Sequence, residues 1–140
     1  MIRVVVVADS GPVLASLTAA VGTVPGSYIV RHGSSAGPLD RLVAPLAPDL
    51  VILGDLLDPA RALARLAEVR GAAPDAQVVV CSSQPEAAWL ADALRAHAAA
   101  VLPGHLEPRT LGAVLRELVA TRDADVHRLP DRTADIQVAA

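Results

Sequence analysis

The chain has 140 residues, 53% of them hydrophobic, and a formal net charge of -3. That is material for one domain with a real core; it offers no basic run, and Trp89 and Tyr28 are the two aromatics, which argues against a phosphate-tracking groove or a base-stacking platform. All twelve basic residues are arginines, so chemistry that needs lysine is excluded: a Walker A loop, a Schiff base, a lysine general base.

The opening "MIRVVVVADS" lacks a basic flank and a cleavage site and reads as a strand rather than a signal peptide. Residues 3–7 are a continuous β-branched run, the pattern of a strand covered on both faces. A helix is expected over 12–21, with Pro12 in its first turn and Val13, Leu14, Leu17 and Val21 on one side. Residues 28–31 form a short second strand. A helix over 39–46 turns Leu39, Leu42, Val43 and Leu46 inward, and Pro45 and Pro48 end it. "LVIL", 50–53, is the third strand, followed by a helix over 60–70 with Leu63, Leu66 and Ala67 inward. "QVVVC", 77–81, is the fourth strand; 86–97 is a helix; 99–102 is a weak fifth strand; and a last helix spans 108–120.

Five strands that alternate with amphipathic helices imply a parallel sheet with helices on both faces. The flavodoxin-like doubly wound α/β sheet, order 2-1-3-4-5, is the natural five-strand solution. Residues 1–121 make up this domain. Residues 122–140 are charged, broken by Pro130 and without an apolar stripe, which reads as a flexible tail or linker. No 18-residue apolar run is free of charge, so no membrane-spanning helix is expected. The single cysteine, Cys81, precludes an internal disulfide framework and fits a cytoplasmic location.

In such a sheet function gathers at the carboxyl ends of the strands. There the sequence puts Ala8, Asp9 and Ser10 after the first strand, Gly54, Asp55 and Asp58 after the third, Ser82 and Ser83 after the fourth, and Pro103, Gly104 and His105 after the fifth. Asp9 can cap the first helix or bind a cation. Asp55 reads equally as a loop residue, Asp58 as a helix cap, and the two serines as partners of local backbone. Cys81 reads as a small buried hydrophobe. His32, His97, His105 and His127 have no metal-ligand spacing.

Four blocks in order resemble the receiver domain of bacterial response regulators (the CheY-like superfamily): "RVVVVADSGPVLASL", "PDLVILGDLLDP", "VVVCSS" and "ALRAHAAAVLPGHLEPRTL". In that family an aspartate accepts a phosphoryl group from a histidine kinase. Two acidic residues hold Mg²⁺, and a Ser or Thr and a Lys bind the phosphoryl oxygens. Carried over position by position, the first acidic position is Ala8 and the second Asp9. The hydroxyl position is Ser82, the lysine position Gly104, and the aromatic switch of the fifth strand Val101.

The acceptor falls on Gly54 when counted forward from "PD", and on Asp55 when counted back from Pro59. The chain carries one extra residue here, and a bulge before Asp55 would aim it into the site. The resemblance thus implies a degenerate acidic pocket of Asp9, Gly54, Ser82 and Gly104. Its phosphoacceptor candidate is Asp55, with at most a weak Mg²⁺ site on Asp9 and Asp55 and otherwise no cofactor.

The reading is an atypical receiver, not an enzyme, that signals by protein–protein interaction independently of phosphorylation. Its partner face is the fourth helix, fifth strand and last helix, near Trp89; a homodimer and a histidine kinase are further partner classes, with no nucleic acid and no membrane. The alternatives are a phospho-accepting receiver that uses Asp55 and a ligand-sensing pseudo-receiver. A receiver joined to a DNA-binding domain of a transcription regulator, or to a pilus-assembly or other ATPase, would have the same sequence features.

Overall fold

The computed structural model describes residues 1–34, 38–54, 59–82, 92, 95, 98–103 and 107–121, with backbone alone for 59–62. The strands are β1 (Ile2–Ala8), β2 (Ser27–Gly33), β3 (Leu50–Gly54), β4 (Gln77–Ser82) and β5 (Ala100–Pro103). Between them lie α1 (Gly11–Gly22), α2 (Asp40–Val43) with a 3₁₀ turn (Ala44–Leu46), and α3 (Pro59–Ala72). A C-terminal helix spans 108–121. The strands are all parallel, in the order β2-β1-β3-β4-β5. This is the doubly wound α/β sheet expected from the sequence.

Strand alternation divides the core in two. Val5, Val7, Val51 and Leu53 pack under α2 and α3 against Leu39, Val43, Leu66 and Val69. Val4, Val6 and Ile52 face α1 and the C-terminal helix, against Leu17, Leu111 and Leu115. β1 and β3 are thus buried on both faces, which is why their sequences are unbroken apolar runs. Each buried valine stabilises the fold by about 1.5–3 kcal/mol relative to an exposed one.

At their amino ends the central strands are fastened by backbone and side chain. The Arg3 N–H donates to Asp49 Oδ2 (2.9 Å), the Asp49 N–H to the Arg3 carbonyl (2.9 Å), and the Gln77 N–H to the Asp49 carbonyl (3.0 Å). The edge strand β2 shifts register between Val4 and Val5 and presents exposed Arg31 and His32. An irregular, charged edge resists pairing with another strand.

The second helix departs from expectation. It is α-helical over only four residues, and the chain then tightens into the 3₁₀ turn with Pro45 in it. Pro45 lacks the N–H that an α-helical turn would use, so the ladder changes type there. Ala47 ends the turn in the left-handed region, at φ 45°.

In four cases the strands also run one residue further toward their carboxyl ends than the apolar pattern indicates, to Ala8, Gly54, Ser82 and Pro103. Hydrophobic periodicity stops where small or polar residues begin, but the ladder does not. The helix expected over 86–97 lies outside the described residues except at Asp92 and Arg95, which are helical. The tail 122–140 also lies outside them.

Candidate functional site

The four extended strand ends form one row. Ala8 pairs with Gly54, Gly54 pairs with Cys81, and Ser82 pairs with Pro103. The register of β3 is unbroken against both neighbours from Leu50 to Gly54, so no bulge interrupts the strand over these residues. Gly54 therefore holds the tip of β3 within the regular ladder. Asp55 lies outside the described residues, as do Asp58, Ser83, Trp89, His97, Gly104 and His105.

Packing from α1 closes the space around Gly54. A Cβ on this residue would overlap Leu17 Cδ1 and lie 3.1 Å from Val13 Cγ1 and 3.4 Å from the Val7 carbonyl. Leu17 is buried and Val13 packs on the same core cluster. Glycine at 54 thus lets α1 approach the sheet closely.

Asp9 follows β1 and is exposed. The N-cap of α1 is the next residue, Ser10, whose extended backbone (φ -120°, ψ 135°) starts the helix without a side-chain capping bond. The capping position that the sequence suggests for Asp9 thus belongs to Ser10. Ser82 ends β4, half-buried, and Val101 lies half-buried in β5 against the α2–α3 core. Cys81 is buried, as expected. His32 is exposed on β2.

Beside this row an apolar cleft of about 140 Å³ separates α1 from the C-terminal helix, lined by Val13, Leu17, Cys81, Pro103 and Leu111 among others. The sequence reading missed this cleft. Its signal was the meeting of apolar faces from two helices that are far apart in the chain.

Magnesium requires oxygen ligands, usually with one or two carboxylates. Asp9 offers one; Ala8 and Gly54 offer no side-chain oxygen. Among the described residues no group of three or more His, Cys, Asp or Glu side chains is placed to hold a metal ion. The described residues do not fit the family's cation site.

No family sequence model and no curated protein matches the chain. Solved structures do. The chain is similar to a protein assigned to pilus assembly (CpaE) from Burkholderia thailandensis, at 27% identity and TM-score 0.71, over 86% of this chain and 99% of that one. It is also similar to a pilus assembly-related protein from Burkholderia pseudomallei, at 27% identity and TM-score 0.68, over 86% and 90%. A CheY-like response regulator receiver domain from Methanospirillum hungatei superposes with TM-score 0.76 at 15% identity, over 89% and 98%. The fold is that of a response regulator receiver domain, with Gly54 at the end of its third strand. No helix among the described residues is long and apolar enough to cross a membrane.

Proposed function

We propose that this domain is an atypical receiver, a non-catalytic signalling module that acts through protein–protein contact and does not depend on aspartyl phosphorylation. The receiver fold supports a role in signal transduction. Support for phosphorylation independence comes chiefly from Gly54. Regular pairing carries it to the strand tip, and α1 fills the space into which a side chain would project. Ala8 removes one acidic partner, and a chain without lysine removes the usual cationic partner of the phosphoryl group. Phosphoryl transfer relies on such positioned charge, so its loss leaves little to stabilise the transferring group.

The test is a titration of the full chain with beryllofluoride and Mg²⁺, followed by amide resonances. Unchanged positions for Ser82 and Val101 are expected. Saturable shifts at both residues that vanish in Asp55→Asn would establish the phospho-accepting alternative.

A second reading concerns the partner. Two of the similar structures are assigned to pilus assembly, and both are more identical in sequence (27%) than the CheY-like receiver from M. hungatei (15%), which superposes with the higher TM-score. We propose a component of a pilus or related export machine as the partner class, docked on the face of the fourth predicted helix, β5 and the C-terminal helix. Co-purification of the tagged chain with such a component, lost on substitution of Trp89 by Ala but not of Tyr28 by Ala, is the expected result. Equal loss in both variants would refute that face.

A further inference from the structure

The cleft between α1 and the C-terminal helix opens beside the strand tips, yet its walls are those of a core. Val13 and Leu17 of α1, Cys81 of β4, Pro103 of β5 and Leu111 of the C-terminal helix border a volume of about 140 Å³. Leu17, Cys81 and Leu111 are buried, and Val13 packs on the same apolar cluster.

Two sets of contacts hold the cleft open. Val13 and Leu17 are also the side chains that close over Gly54, so moving either into the cleft would undo that packing. Further along, the same two helices touch. Gly112 lies against Ala20 and Thr23, and Arg116 Nη1 donates to the Thr23 carbonyl (3.1 Å).

Ser16 brings one hydroxyl to the cleft. Thr18, two residues on, turns its own hydroxyl back to the Leu14 carbonyl (2.7 Å), a common partner for a hydroxyl inside a helix. The Ser16 hydroxyl makes no hydrogen bond among the described residues. None of the described residues that line the cleft carries a charged side chain.

We propose that this cleft binds a small neutral molecule, apolar except for one hydrogen-bonding atom that meets Ser16 Oγ. An apolar cavity of about 150 Å³ takes one benzene-sized molecule, which limits the ligand to roughly six to eight non-hydrogen atoms. Uncharged walls disfavour ions and sugars, whose polar groups would be left unpaired. A ligand there touches α1, β4, β5 and the C-terminal helix at once, and Val13 and Leu17 join it to the tip of β3.

The test is a titration of the isotope-labelled full chain with phenol and, separately, with benzene, without Mg²⁺ or any phosphoryl donor. Phenol should shift the amide resonances of Val13, Ser16, Leu17, Cys81 and Leu111 saturably, with half-saturation at about 1 mM, an ordinary affinity for a ligand of this size. Val43 and Val69, in the core on the other face of the sheet, should not move. In Ser16→Ala the half-saturation point for phenol should rise about three- to tenfold, the worth of one hydrogen bond, while that for benzene stays the same. Absence of saturable shifts at the lining residues up to about tenfold the expected concentration overturns the proposal, as do equal shifts at Val43 and Val69. A Ser16→Ala variant that binds phenol as the wild type does, or that weakens both ligands equally, overturns it as well.

Discussion

Gly54 stands opposite Ala8 in the β1–β3 ladder, so the two strand tips that meet at the centre of the rim carry no carboxylate between them. The same glycine pairs with Cys81 on its other side and lies against Val13 and Leu17 of α1. The tip of β3 thus belongs to the packing of the domain as much as to its rim.

An aspartate placed there should therefore cost stability. Gly54→Asp places a Cβ against Leu17 and a carboxylate in an apolar contact, and overpacking of this kind costs about 1–3 kcal/mol. Urea unfolding of Gly54→Asp, Gly54→Ala and each with Leu17→Ala is the check. Leu17→Ala should recover part of the loss, because contacting residues couple in a double-mutant cycle. Strictly additive effects would show that Leu17 does not fill this space.

A second close approach joins the C-terminal helix to α1. A Cβ on Gly112 would overlap Thr23 Oγ1 and lie 3.1 Å from the Ala20 carbonyl, beside the Arg116 Nη1 bond to the Thr23 carbonyl (3.1 Å). Alanine in place of glycine normally favours a helix by about 1 kcal/mol. Here Gly112→Ala should instead destabilise the fold, and pairing it with Thr23→Ala should restore most of the loss in the same unfolding assay.

Ala47 offers the opposite sign. Its left-handed backbone costs an L-residue roughly 1–2 kcal/mol, and glycine removes that cost. After glycine's own entropy loss, Ala47→Gly should stabilise by about 0.5–1 kcal/mol. A lower midpoint in urea would contradict the assigned backbone at this residue.

Gln77 carries a buried Oε1 with no hydrogen-bond partner among the described residues. Replacing such a group with an apolar one of similar shape is neutral or favourable, by up to about 1 kcal/mol. Gln77→Met should therefore leave the unfolding midpoint unchanged or raise it. A clear loss would mean that the 3.4 Å bond to the Leu118 carbonyl matters more than its length suggests.

The fold was legible because its signals are local. Runs such as residues 4–7 and 50–53 can be covered on both faces only in a parallel sheet, and the alternation with helices leaves few topologies. Strand ends were not legible, since Ala8, Gly54, Ser82 and Pro103 carry no apolar signal and are held by pairing to neighbours distant in sequence. Counting motif spacing left Gly54 and Asp55 open for the same reason: register is a property of the ladder, not of the segment. The closure by Val13 and Leu17 was likewise hidden, because nothing in "GPVLASL" tells which residue of β3 it will meet.

The most direct test of phosphorylation independence is the intact mass of the full chain after incubation with acetyl phosphate and Mg²⁺. No gain of a phosphoryl group is expected, in the wild type or in Asp55→Asn. A mass increase of one phosphoryl group in the wild type that is absent from Asp55→Asn would contradict the proposal and make Asp55 the acceptor of a working receiver.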